Sequence, residues 1–275
     1  MNLLLLGLYA VAGVVYAVHF ALRQPRIGRA ATTLLLFAAL VHTFFIGMRT
    51  IEVGHVPFAN ASSAISTFVW LLTLSYLYLE LSTDERAMGA LILTIVVALQ
   101  IIPTLNPGIE SRSPVLEGPW FGVHIASSLF AYASFALAGV LGLTYMLQFK
   151  EIKKKHLGYL YTRLPSLQIL DSMNNRAVMI GWLFLTIGVV VGVIWATQAR
   201  ALHPEDPNIR AMSLNDPKIF GAVLTWAVYS FAVFARQRLG WNGRRAAWLS
   251  AIGFTLILLN FVPVSYFVTT SHTFD

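Results

Sequence analysis

The chain has no cysteine among its 275 residues. That excludes disulfides, thiol chemistry, thiolate-held clusters and a haem tethered through the chain's own CxxCH. Charge is scarce as well, at 11% of residues. HExxH, GxSxG and GxxxxGK are all missing, so a zinc-peptidase helix, a nucleophile elbow and a phosphate loop are not expected. Internal repeats and low-complexity tracts are missing too. Any catalysis would be the chemistry of a cofactor that the protein positions.

What fills the sequence instead is apolar surface. Hydrophobic residues make up 57% of the chain, and mean hydropathy is +0.70. This composition belongs to all-α, polytopic membrane proteins. A span needs about 20 apolar residues to cross about 30 Å of hydrocarbon. Eight fit, at 2–22, 30–48, 63–81, 87–103, 122–148, 178–198, 219–236 and 246–269. No soluble domain fits between them, so residues 1–275 are read as one integral membrane domain. The first run, Leu3 to Leu22, has no positive flank before it and no small-residue cleavage site, and is read as a retained helix.

The net charge of +7 fits membrane loops rather than nucleic acid as a partner, because Lys and Arg collect in cytoplasmic loops. Arg23, Arg26, Arg29, Arg86, Lys150, Lys153, Lys154, Lys155, Arg163, Arg176, Arg236, Arg238, Arg244 and Arg245 fall on one side. Arg49, Arg112, Arg200, Arg210 and Lys218 fall on the other. The asymmetry puts both termini outside, in a multi-pass protein of the plasma or inner membrane. The basic loop around Lys150–Lys155, with Leu157, Leu160, Leu164 and Leu167 after it, reads as an interfacial segment against anionic lipid.

Seven histidines stand out in so apolar a chain. His42, His55, His124, His203 and His272 fall at or near the outer side, whereas His19 and His156 fall at the inner side. Ionisable groups near hydrocarbon are costly, so imidazoles converging on one face suggest a metal or haem site. The residues alone leave other readings open. His42 can be a satisfied polar residue between helices, His55 and His203 solvated loop residues, and Asp216 a helix N-cap followed by Pro217. Trp120, Phe121, Trp195 and Trp226 suit an interfacial aromatic belt.

Four stretches, in order over about residues 40–275, resemble the CcsA/ResC family of cytochrome c maturation proteins, relatives of CcmC and CcmF. The first is Arg49-Thr50-Ile51-Glu52-Val53-Gly54-His55-Val56-Pro57-Phe58-Ala59-Asn60, with Asn60 a candidate N-cap. The second is Trp120-Phe121-Gly122-Val123-His124, with Tyr132 to Phe135 and Tyr145. The third runs from Leu170-Asp171 to Arg176 and continues through Gly181, Thr186, Gly188, Gly192 and Trp195. In it, Gly188 and Gly192 form a small-xxx-small pair. The fourth runs from Asp216-Pro217-Lys218 through Trp226 and Trp248 to His272. Between Trp195 and Asp216 the family's tryptophan-rich WWD segment is largely replaced, and Phe234 stands where the family carries a histidine.

The resemblance implies a protein that ligates non-covalent haem b on the outer face and presents it to apocytochrome c. His124 and His272 would be the axial ligands. His55, His42, Arg49, Trp120, Trp195 and Asp216 would line the site, with Arg49 and Arg112 facing propionates. A CcsB/ResB-like membrane protein and membrane lipid are the implied partners, and the chain would form part of a haem lyase complex. Two other readings stay open: a HemX-like regulator or assembly subunit that kept the scaffold, and a bis-histidine haem b electron-transfer subunit.

Overall fold

Long apolar runs in this chain become helices because a helix satisfies every backbone amide within its own segment. The computed structural model describes residues 1–58, 60–108, 118–155, 158–202, 205 and 217–261. Those residues form α1 (Asn2–Leu22), α2 (Pro25–Val53), α3 (Ala61–Thr83), α4 (Gly89–Leu105), α5 (Pro119–Lys153), α6 (Tyr159–Arg163), α7 (Leu167–Leu202), α8 (Pro217–Leu239) and α9 (Arg244–Phe261). No strand occurs among them. Six helices (α1, α2, α3, α5, α7 and α8) are long and apolar enough to cross a membrane. α4 is a shorter apolar helix of 17 residues and α9 has 18. The protein is therefore an all-α, polytopic membrane protein.

Several helices outrun the spans read from hydropathy, whereas α1 matches its span, α4 is shifted by two residues, and the end of the last span, 262–269, lies outside the described residues. α2 extends through Arg49 to Val53. Its end is set by Gly54, whose φ of 84° returns its N–H to the Thr50 carbonyl. α7 begins at Leu167, so Asp171 and Arg176 lie in helix rather than in the preceding loop. Its 36 residues reach about 54 Å at 1.5 Å per residue, well beyond the hydrocarbon. Asn60 caps α3 as expected, its side chain accepting from the Ser63 N–H at 2.9 Å.

Neighbouring helices run antiparallel, which gathers the loops at two ends. At one end the Asn2 amide meets the Pro103 carbonyl (2.6 Å), and the Ser62 hydroxyl meets the Asn106 carbonyl. At the other, Arg23 donates to the Thr162 and Leu164 carbonyls, tying α6 and its following turn to the α1–α2 turn. Also at that end, Asp171 takes both Arg236 nitrogens (3.0 and 2.8 Å) and the Gly243 N–H (2.9 Å). One carboxylate thus joins α7, the end of α8 and the turn into α9. His55, His124 and Trp195 belong to the first end, and the clustered lysines and arginines to the second.

The main core runs through all the long helices. α5 and α7 approach closely where Gly181 faces the Phe135 ring and Gly188 faces Ser127 and Ser128. A Cβ on Gly188 would stand 2.7 Å from the Ser128 hydroxyl. This is the close approach that the Gly188/Gly192 spacing leads one to expect.

Candidate functional site

A second, smaller apolar cluster stands apart from the core at the histidine end. Phe121, Trp195 and Ala199 are buried in it, with Phe58, Ile125 and Ala196 packed around them. The aromatic rings form a row. His55 meets Phe58 at 5.9 Å between centroids, Phe58 meets Phe121 edge-on at 5.4 Å, and Phe121 meets Trp195 at 4.7 Å. The row ends at His124, whose ring lies within 7° of parallel to Trp195 at 6.3 Å. Phe121 and Trp195 are therefore buried cluster residues, not members of an exposed belt. Trp226 likewise turns inward, donating its indole N–H to Thr186 at 3.0 Å.

His124 sits in the second turn of α5, facing α7. Its Nδ1 lies 2.8 Å from the Gly188 carbonyl oxygen. A carbonyl only accepts, so Nδ1 carries the proton and donates, leaving the lone pair on Nε2. Among the described residues Nε2 has no hydrogen-bond partner. Locking one ring nitrogen on a backbone carbonyl is how proteins orient an imidazole to bind metal through the other. Gly192, one turn beyond Gly188, makes the room: a Cβ there would stand 2.6 Å from Nδ1.

His55 repeats the pattern. It is buried, and its Nδ1 donates to the Val56 carbonyl at 2.9 Å. Its Nε2 is buried with no partner among the described residues. Two imidazoles thus stand at opposite ends of one aromatic row, each with the lone pair on Nε2 uncommitted.

His42 lies elsewhere and is fully buried. Its Nδ1 is 3.0 Å from the Tyr9 hydroxyl and its Nε2 is 3.1 Å from the Ser66 hydroxyl. Both nitrogens are engaged, so His42 links α1, α2 and α3 and has no free donor atom. Arg49 pairs with Glu52 at 3.2 Å and lines a small cavity of about 30 Å³ with Asn2 and Ser66. Trp120 is 42% exposed at the start of α5. His272, Asp216, His203, Arg112 and His156 lie outside the described residues.

Among the described residues no group of three or more His, Asp or Glu converges to cage a bare ion. An iron already held by porphyrin nitrogens needs only axial donors. A free imidazole Nε2 backed by a flat, apolar aromatic wall fits that requirement.

Glu80 is a residue the sequence reading passed over. It is fully buried in α3, where it accepts from the Tyr16 hydroxyl at 2.7 Å and from the Thr32 hydroxyl. Arg86 stands 4.0 Å away. A single acid in an apolar run was its only signal.

Comparison with known proteins bears on the family of the chain. A family model described as cytochrome C assembly protein matches residues 3–272. The match takes in α1, ahead of the region where the motifs lie. The cytochrome c biogenesis protein CcsA of Guillardia theta is 26% identical, over 87% of this chain and 83% of its own length. That of Chlamydomonas reinhardtii is 25% identical, over 98% and 72%, and that of Synechococcus sp. (strain RCC307) is 23% identical, over 98% and 94%. With nearly its whole length matched, the chain belongs to the cytochrome c assembly protein family.

Proposed function

We propose that this protein holds haem at the histidine end of its bundle during cytochrome c biogenesis and offers it to apocytochrome c. The observation that carries the reading is the His124 imidazole. Its Nδ1–H is tied to Gly188, its Nε2 has no partner among the described residues, and its ring lies parallel to Trp195 at 6.3 Å between centroids. Haem, held non-covalently as haem b, would supply an iron able to take imidazole nitrogen donors. His124 gives one donor. His272 would give the second, as the family resemblance implies, and His55, at the far end of the aromatic row, is a further candidate donor. Trp195 and Phe121 would pack beside the site and exclude water, with Trp120 near them at the start of α5 and Asp216 included as the family resemblance implies. Arg49, which pairs with Glu52, would exchange that partner for a propionate. His42 keeps α1, α2 and α3 in register.

In this reading the six long helices, the shorter α4 and α9 all span the bilayer. The basic end is inside, both termini lie outside, and the membrane is the plasma or inner membrane. A CcsB/ResB-like membrane protein completes the haem lyase. Complementation tests the proposal in cells from which the chain has been removed. The native protein should restore haem covalently bound to c-type cytochromes, seen as haem-stained bands, and His124→Ala should not. Full restoration by His124→Ala would reject the assignment.

A further inference from the structure

The basic end carries a second feature that haem handling does not use. Two adjoining cavities, of about 440 and 590 Å³, share Arg244 and Trp248. They lie between the outward side of α5 and the start of α9. The wall is apolar and faces away from the bundle: Leu143, Leu147 and Trp248 are each roughly half exposed. The mouth is cationic, formed by Lys150, Lys153, Arg244 and Arg245. No carboxylate lines either cavity among the described residues. None of the four cations is in an ion pair there. Asp171, the acid near the turn into α9, is already committed to Arg236 and to the Gly243 N–H.

The charges are also held in place. The Arg244 guanidinium lies 5.7 Å from the centre of the Phe149 ring, and that of Arg245 lies 5.5 Å from the centre of Trp241. Both open the first turn of α9, which contains no acid. The helix dipole adds positive charge at that point, so two arginines there raise the local potential further.

We propose that this groove is a selective site for one anionic phospholipid. Its phosphate would be held between Lys150, Lys153, Arg244 and Arg245, and one acyl chain would lie along Leu143, Leu147 and Trp248. A greasy wall continuous with a cationic mouth suits a lipid better than a soluble anion, which would leave the wall uncovered. The site lies at the opposite end of the bundle from His124, so its test does not depend on haem binding.

The experiment is native mass spectrometry of the full chain in non-ionic detergent, titrated with phosphatidylglycerol and with phosphatidylcholine of the same acyl chains. The native protein should retain phosphatidylglycerol with a preference of about five-fold for each cation engaged. Lys150→Gln/Arg244→Gln should abolish the preference. Lys154→Gln/Lys155→Gln removes the same charge outside the groove and should keep it. Should the first double variant fail to fold, Lys153→Gln, on an exposed side chain, should lower the preference by itself. Equal retention of the two lipids by the native protein would overturn the proposal. So would equal loss in both double variants, or displacement of the lipid by inorganic phosphate.

Discussion

The His124 imidazole donates from Nδ1 to the carbonyl oxygen of Gly188, 2.8 Å away on the facing helix. That bond crosses from α5 to α7 and exists because the neighbouring position on α7 is also glycine. It orients the ring, fixes its tautomer and leaves Nε2 free to ligate.

Gly192→Ala should therefore act as a haem-site variant although residue 192 has no side chain to offer. The added methyl would stand 2.6 Å from Nδ1 and push the ring out of line. Haem retained after purification should fall several-fold. Gly47→Ala, where a Cβ meets nothing within 4 Å, should leave it unchanged. Haem quantitation by the pyridine method on both variants checks this.

His42→Ala should separate structure from ligation. Removing it strands the buried Tyr9 and Ser66 hydroxyls, at a cost of about 1–3 kcal/mol. Thermal unfolding in detergent should shift down while the haem content of the folded fraction stays at the native level. A fall in haem at unchanged stability would return His42 to the site.

Asp171→Asn keeps the shape of the side chain but loses the charge that takes both Arg236 nitrogens. Charge-assisted bonds of this kind contribute about 2 kcal/mol. The melting temperature should drop, and limited proteolysis should open the turn around Gly240–Gly243 first.

Glu80 allows a comparable contrast. Tyr16 and Thr32 donate to different oxygens of Glu80, so Glu80→Gln keeps an acceptor for one of them and the other hydroxyl must turn to accept from the amide; it should lose less stability than Glu80→Ala. Glu80→Ala leaves two hydroxyls and Arg86 without their shared acceptor and should cost about 1–3 kcal/mol of stability. Melting curves of the two variants side by side decide it.

The sequence made some of this legible and hid the rest for physical reasons. The long helices were visible because apolar runs of span length leave few alternatives. The Asn60 cap and the Gly188/Gly192 pair carry local signatures and were found. Contacts between helices carry none. Helices that are apolar on every side show no stripe that points to the partner, so nothing in the sequence linked His124 to Gly188, or Phe58 to Phe121 and Trp195. The same blindness hid the partners of His42. It sits in α2, and its two partners, Tyr9 and Ser66, sit on α1 and α3. Arg49 and Arg176 were placed in loops because hydropathy ends before the helix does.

One optical experiment bears most directly on the central claim. The purified chain would be loaded with hemin, and oxidised and dithionite-reduced spectra recorded for the native protein, His124→Ala and His42→Ala. The account expects a low-spin, b-type spectrum near one haem per chain in the native protein and in His42→Ala, and its loss in His124→Ala. An undiminished spectrum in His124→Ala, or no haem bound by the native protein, would contradict it.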